Sequence, residues 1–342
     1  MNRLEHSWYN KSPLTLALLP LSWLFCALAV TRRFAYRWGL LKTHRLSVPV
    51  IVVGNISVGG TGKTPLVTWL VDLLKQQGHR PGIISRGYGG GASRWPQQVR
   101  PDGDPRTVGD EAILLARRCA CPMAVGPDRV AAATALLAHT DCDIIVSDDG
   151  LQHYALGRDV EIAVVDGVRR FGNGHCLPAG PLREPQSRIQ QVQMVVANGV
   201  AGPGEFAMRL IPGNVRNLRE PQYQRALESF RGHKVHAVAG IGFPPRFFRQ
   251  LTEQGMEVIE HPFPDHHPFA KTDICFDDDL PVLMTEKDAV KCRAFATERH
   301  WCLPVDAQLD EKASQLLLRL IGPSIGPSIG PSIGPSIGKG HG

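Results

Sequence analysis

The residues best suited to chemistry begin at Val50. Four apolar residues, Val50, Ile51, Val52 and Val53, run straight into Gly54, Asn55, Ile56, Ser57, Val58, Gly59, Gly60, Thr61, Gly62, Lys63 and Thr64, and an apolar helical stretch follows over 66–74. A strand, a glycine-rich turn, Gly-Lys-Thr and a helix, in that order, are what a Walker A phosphate loop requires. The glycines let backbone N–H groups from Ser57 to Thr64 curl around phosphate oxygens, and the helix N-terminus adds its dipole. Lys63 is placed to bridge the outer phosphates of a nucleotide and the Thr64 hydroxyl to ligate Mg2+. The strict pattern puts glycine five residues before Gly62, where Ser57 stands. Gly59 and Gly60 still supply the flexibility.

A metal held at such a loop needs a carboxylate at the end of an apolar strand. Residues 144–150 read Ile-Ile-Val-Ser-Asp-Asp-Gly and offer two, Asp148 and Asp149. Adjacent carboxylates repel each other, and Mg2+ relieves that repulsion. Alone, Asp-Asp-Gly is equally a good turn; together with Lys63 and Thr64 it favours the metal. Val58 occupies the place of the extra lysine of ParA/MinD-type loops, and Thr285-Glu286-Lys287-Asp288 has its lysine one place late for guanine recognition. A small-molecule or lipid kinase is left, and it needs a base for the acceptor hydroxyl.

These groups must be positioned by ordered elements. Apolar β-rich runs at 48–53, 82–85, 143–147, 162–166 and 194–197 alternate with helical periodicity at 63–76, 110–119 and 129–137. That alternation predicts an α/β fold, a P-loop NTPase-like parallel sheet flanked by helices, over 47–212. A polar, proline-bearing stretch near 214–224 separates it from a second, smaller α/β domain expected over 213–320. That block has strands at 235–241, 257–260 and 281–285 and helices at 245–254 and 309–320. The Ile-Gly-Pro-Ser repeats of 321–342 cannot be buried by helix or sheet and are expected to form a flexible tail.

The head, residues 1–46, is different. From 14 to 30 it holds seventeen uncharged residues, at the lower limit for a membrane span. Cleavage as a secretory signal would export a nucleotide machine that needs cytosolic ATP. A spanning anchor, a helix lying on the cytoplasmic leaflet, and a buried core helix all fit, the surface helix best, with Trp8, Trp23, Tyr36 and Trp38 at headgroup level. The 342-residue chain carries a net charge of +6, yet residues 1–50 hold Arg3, Lys11, Arg32, Arg33, Arg37, Lys42 and Arg45 against Glu5 alone. The remainder balances at 31 basic against 31 acidic side chains. No nucleic-acid partner is therefore indicated; a basic head beside an apolar run points to anionic lipid. The eight cysteines have neither Cys-x-x-Cys spacing nor a regular Cys/His pattern, so neither disulfides nor a structural zinc is expected.

The chain resembles the tetraacyldisaccharide 4'-kinases, the lipid A 4'-kinases of Gram-negative bacteria. The resemblance lies in GNISVGGTGKTP at 54–65, SRGYGG at 85–90, VGDEA at 108–112, SDDGLQH at 147–153, LPAGPLREP at 177–185, FPDHHPF at 263–269 and TEKDA at 285–289. These run in the family's order across about residues 1–320, and Ser57 belongs to the family's usual loop. The resemblance implies ATP-dependent phosphorylation, with Mg2+, of the 4'-hydroxyl of an acylated glucosamine disaccharide 1-phosphate lipid at the cytoplasmic face of the bacterial inner membrane. It gives Lys63 and Thr64 their Walker A roles and puts Asp148 and Asp149 at the metal.

The resemblance also offers Asp110 as the base, assisted by His266 or, as the alternate, His267. Without it Asp110 reads as an ordinary acid at a helix N-terminus. Arg129, Arg183 and Glu184 are candidates for phosphate and substrate contacts, since guanidinium forks match phosphate oxygens. Gln152 and His153 follow the metal acids closely, and Arg86 and Tyr88 lie in a glycine-rich loop expected near substrate. A membrane-bound nucleotide switch that binds a protein partner would share the loop, the acids and the basic head.

Overall fold

In the computed structural model, residues 3–10 and 12–322 are described; the repeat from 323 onward, expected as a tail, lies outside them. The chain opens with helices α1 (Arg3–Tyr9) and α2 (Pro13–Arg37). There follow β1 (Val50–Gly54), α3 (Lys63–Gln76), β2 (Pro81–Ser85), β3 (Gln97–Gln98), the single turn α4 (Pro105–Val108), α5 (Asp110–Cys119), β4 (Met123–Val125), α6 (Arg129–His139), β5 (Ile144–Asp148), β6 (Val160–Asp166), β7 (Met194–Asn198) and β8 (Phe206–Pro212). Next come β9 (Val215–Asn217), β10 (Gln224–Arg225), β11 (Lys234–Ala239), α7 (Pro244–Glu253), β12 (Glu257–Pro262), β13 (Val282–Thr285), α8 (Glu286–Cys292) and β14 (His300–Leu303). The last elements are β15 (Val305–Leu309) and α9 (Glu311–Ile321).

Two sheets result. The larger runs β15, β8, β7, β6, β1, β5, β2, β4, β3, and the smaller β10, β9, β14, β13, β11, β12. Every pairing from β8 through β4 is parallel, with antiparallel strands only at the two edges. A central parallel strand is buried on both faces, which is why β1 reads as continuous valine and isoleucine. Ile51 and Val53 face a core built with Leu66, Leu70 and Leu74 of α3 and Ile113 and Leu115 of α5. Val50 and Val52 face the opposite core with Ala132, Ala133 and Leu136 of α6.

One expectation is corrected by the topology. The sequence pattern assigns the chain after 304 to the smaller domain, but β15 pairs antiparallel with β8 of the larger sheet, and Ala313, Leu317 and Ile321 of α9 pack into the α3 core. Periodicity shows that a helix has an apolar stripe, not which core receives it. Pro304, between β14 and β15, marks the crossing.

The head docks along the body. Trp8 is buried, and its Nε1 donates to Pro178 O at 2.9 Å. On α2, Ser22 Oγ donates to Cys176 O at 2.6 Å, Cys26 packs against the α6-side core, Arg32 donates to Gln152 O at 3.0 Å, and the Tyr36 ring meets that of Tyr154. The rest of α2 stays apolar and exposed: Leu21 is 56 % exposed, Trp23 65 %, Leu24 58 % and Leu28 62 %.

Candidate active site

The phosphate loop leaves the C-terminal end of β1 and enters α3, and β5 lies directly beside β1, so that Val53 and Asp148 are register partners. This adjacency brings the sequence-distant carboxylates to the loop. Gly62 has φ +96°, and a Cβ there would sit 2.6 Å from Asn198 Nδ2, so only glycine fits between loop and β7. Asn198 in turn donates to Thr61 O at 3.1 Å. Ser57 is buried against Leu182, and the Val58 N–H donates to Pro181 O at 2.8 Å. That N–H is therefore committed within the protein, which leaves the cradle to the residues from Gly59 to Thr64.

The Lys63 ammonium lies 3.4 Å from Asn55 Oδ1 and 3.6 Å from Asp149 Oδ1. Asp149 has φ +48°, a left-handed conformation that aspartate tolerates better than most residues. Arg183 Nη1 grips its two oxygens at 3.1 and 3.0 Å. Burial pushes the Asp149 carboxyl up, but Lys63 and Arg183 outweigh it and hold it at about 2. Its neighbour differs: burial, reinforced by Glu111, pushes Asp148 up to about 7 against the pull of Lys63. Ser85 Oγ donates to Asp148 Oδ2 at 3.3 Å, while Asp148 Oδ1 is buried without a hydrogen-bond partner.

A second group of charges comes from both sheets. Asp110 is the first residue of α5, 6 % exposed. The loop after β12 carries His266 across from the smaller sheet, with Nδ1 3.3 Å from Asp110 Oδ1. Lys287 Nζ lies 3.2 Å from His266 Nε2 and 2.9 Å from both Glu111 and Asp265. Burial disfavours the charged Lys287, yet the acids Glu111, Asp265 and Asp110 outweigh it and raise its pKa. A protonated lysine only donates, so His266 Nε2 accepts and Nδ1 carries the hydrogen presented to Asp110. Lys291 Nζ, one turn further along α8, lies 3.5 Å from Asp110 Oδ2. Burial would raise the Asp110 carboxyl; the His266 hydrogen bond, Lys287 and Lys291 win and hold it at about 2. His267 points elsewhere, to Asp273 at 3.1 Å.

The other sequence candidates divide. Tyr88 is 62 % exposed with its ring 4.8 Å from that of His266, and Arg86 is exposed on the same loop. Arg129 is 3 % exposed and donates to Gly126 O and Asp149 O, and burial lowers it to about 10 although Asp148 and Asp149 oppose the shift. His153 accepts from the Arg129 N–H, and burial and that same guanidinium lower it to about 4. Glu184, 2 % exposed, is committed inside the protein: it accepts from Gln152 at 2.9 Å and from the Tyr154 hydroxyl.

Several site residues were missed in the sequence. Lys287 and Lys291 stand four apart on one helix, a spacing that puts both on the face toward Asp110. Asp166 ends the apolar strand β6 as Asp148 ends β5, the same signal unused. Its buried carboxylate binds Arg169 at 3.1 Å and Arg246 of α7 at 2.8 Å. Arg169 then donates to Gly60 O of the phosphate loop at 2.9 Å and to Gly242 O beside α7 at 3.4 Å, tying the loop to the smaller sheet.

Comparison with known proteins shows the family. A sequence model of the family described as tetraacyldisaccharide-1-P 4'-kinase matches residues 14–322. A tetraacyldisaccharide 4'-kinase of Nitrosococcus oceani is 57 % identical over 314 residues, covering 92 % of this chain and 93 % of that protein. One from Methylobacillus flagellatus is 54 % identical, covering 93 % and 95 %. The crystal structure of LpxK from Aquifex aeolicus in complex with ATP superposes with a TM-score of 0.77 at 30 % identity, covering 90 % of this chain and 99 % of that one.

Proposed function

The chain belongs to the tetraacyldisaccharide 4'-kinase family, and on that premise we propose that it transfers the γ-phosphoryl group of ATP to the 4'-hydroxyl of tetraacyldisaccharide 1-phosphate, giving lipid IVA. The observation that carries the mechanism is the Asp110–His266 pair held between the sheets and its link to the Lys63 loop through Glu111, which follows Asp110 on α5, binds Lys287 and acts on the buried Asp148 beside the loop. Supplying ATP and the acylated disaccharide 1-phosphate should yield a product heavier by one phosphoryl group. A folded preparation that binds ATP and makes none would refute the reading. A nucleotide switch would have no use for Asp110 and His266.

Phosphoryl transfer asks the protein mainly for positioning and for charge stabilisation. Lys63 and the N–H groups from Gly59 to Thr64 hold the phosphates, and Asp110 orients the acceptor hydroxyl and takes its proton, with His266 as its partner. Arg129 and Arg183 fix Asp149 from its backbone and carboxylate sides. Tyr88, its ring beside that of His266, and Arg86 on the same exposed loop would meet the sugar. Gln152, His153 and Glu184 support the wall behind the metal acids.

Mg2+ fits the oxygens that are present. An orphaned, buried carboxylate oxygen on Asp148, in a carboxyl pushed up to about 7, is stabilised by a hard cation, and Thr64 and Asp149 complete an all-oxygen set. When bound, Mg2+ neutralises charge on the transferring phosphates. Asp148→Asn should raise the Mg2+ requirement by at least about tenfold, the size seen even for outer-shell metal partners. Asp149→Asn, whose carboxylate already has Lys63 and Arg183, should shift it less. Wild-type metal titrations in both variants would remove the assignment.

The acceptor is a lipid, and α2 offers the route to it. Its outward apolar face suits a helix lying at the cytoplasmic surface of the inner membrane, where ATP is available. Deleting the head would also strip Trp8, Ser22 and Cys26 from the body, so surface substitution is the cleaner test. Changing Leu21, Leu24 and Leu28 together to Asn should weaken membrane partitioning about a hundredfold or more, since burying a leucine side chain is worth about 1.5–3 kcal/mol. ATP affinity should not move. Unchanged partitioning would place the membrane contact elsewhere.

A further inference from the structure

At the far end of α2 lies a cavity of about 460 Å3, lined by Arg33, Arg37, Arg45, Tyr36 and Tyr154 together with the loop that leads into β6. It is not the nucleotide site. Asp159, on its wall, accepts from the Val50 N–H at 2.8 Å, at the start of β1, whereas the phosphate loop leaves the other end of that strand. Five strand residues separate the two ends by about 16 Å.

The charges in this cavity do not cancel. Arg158 spends its guanidinium on the carbonyls of Leu151, His153 and Leu156 and on Glu161, and Arg188 is held by Glu161 and Tyr154. Asp159 is occupied by the backbone. Arg33, Arg37 and Arg45 are therefore left with no acidic partner among the described residues, and Arg33 Nη1 is buried with no acceptor at all. A buried guanidinium N–H without an acceptor is costly, and an anion in the cavity removes that cost. The flanks show which anion. Leu24, Phe25 and Leu28 on the preceding turns of α2 are exposed, and Trp38, Leu40 and Leu41 just beyond it are 73 %, 75 % and 42 % exposed. A ligand here meets arginines in a hollow with apolar surface beside it.

We propose that this cavity binds the phosphate headgroup of an anionic membrane phospholipid, whose acyl chains lie along the exposed face of α2. The site is separate from the acceptor site and orients the enzyme on the bilayer. The proposal rests on the membrane docking of α2, so the test reads the two apart: binding to phosphatidylcholine vesicles reports α2, and the gain on adding phosphatidylglycerol reports the cavity.

The full chain is titrated with both vesicle types as wild type, Arg33→Gln and Lys42→Gln. Lys42 is exposed near the same end and carries the same charge. Lys42→Gln should weaken the phosphatidylglycerol gain by about fivefold or less, the worth of one basic residue near an anionic surface. Arg33→Gln should weaken it by roughly tenfold to a hundredfold, because charge-assisted hydrogen bonds go as well. Binding to neutral vesicles, ATP affinity and melting temperature should stay at wild-type values. Equal losses in the two variants would reduce the effect to diffuse charge and overturn the cavity. Displacement of wild type from the vesicles by millimolar glycerol phosphate would assign the cavity to soluble phosphate esters instead. A raised KM for the acceptor in neutral detergent micelles in Arg33→Gln would make it part of the acceptor site.

Discussion

Replacing Lys63 with alanine is expected to cut phosphoryl transfer by at least about a thousandfold, the scale on which preorganised cations and oxyanion donors act on such transition states. The effect should appear in single-turnover transfer from labelled ATP, with the melting temperature close to wild type. Lys63 is 13 % exposed at the first turn of α3, where little water screens it and its charge acts strongly on phosphate oxygens. Its removal leaves no carboxylate stranded, because Asp149 keeps both hydrogen bonds from Arg183. Loss of activity without loss of fold is thus what the contacts dictate. Lys63→Arg should not restore the rate, since a forked guanidinium does not occupy the place of a compact ammonium between Asn55 and Asp149. Near-normal turnover in Lys63→Ala would mean that the loop binds nucleotide without taking part in transfer.

The parts of this site that could be read in the sequence are those whose chemistry is local. Strand, glycine turn and Gly-Lys-Thr are contiguous, so the loop over 54–64 declares itself, and so does the carboxylate pair at the end of β5. What the sequence lacks is adjacency. Nothing in residues 144–148 says that β5 rather than β2 lies beside β1, yet that register puts Asp148 next to the loop. Likewise the stripe on α9 was visible, but its destination across Pro304 was set by a strand pairing of β15 with β8, nearly a hundred residues earlier in the chain. Asp110 reads as a helix N-terminal acid until a loop from the other sheet brings His266 to it. The resemblance named that pair; the geometry separates His266 from His267 by their partners. Arg169 is legible in neither way. Its role comes from backbone carbonyls of Gly60 and Gly242, which no side-chain pattern records.

Asp110→Asn is expected to lower kcat by roughly 10²–10⁴-fold with little change in KM for ATP, the range for loss of a positioned proton acceptor. A carboxyl held at about 2 is a weak base, and by itself that would argue against the role. Phosphoryl transfer through a loose transition state makes small demands on the nucleophile, however, and the acceptor oxygen becomes acidic only as its bond to phosphorus forms. A carboxylate fixed by His266 and Lys291 need only orient the hydroxyl early and receive the proton late. His266→Ala should lose less, and the double variant should be hardly worse than Asp110→Asn, because groups acting as a unit are not additive. Multiplicative losses would separate their roles. The low pKa also moves the expected pH signature. A carboxyl already ionised far below neutrality cannot set an acid limb in kcat/KM near pH 7, so a limb found there should survive in Asp110→Asn. Its disappearance would show that the Asp110 carboxyl titrates near neutrality and is not governed by these cations. Stability supplies the matching control. With the folded pKa depressed from 3.8 to about 2, Asp110 contributes stability that is fully present above its unfolded pKa and is lost as pH falls through the folded value. Asp110→Asn should therefore melt lower than wild type at neutral pH, and the gap should close as the pH is brought down toward 2.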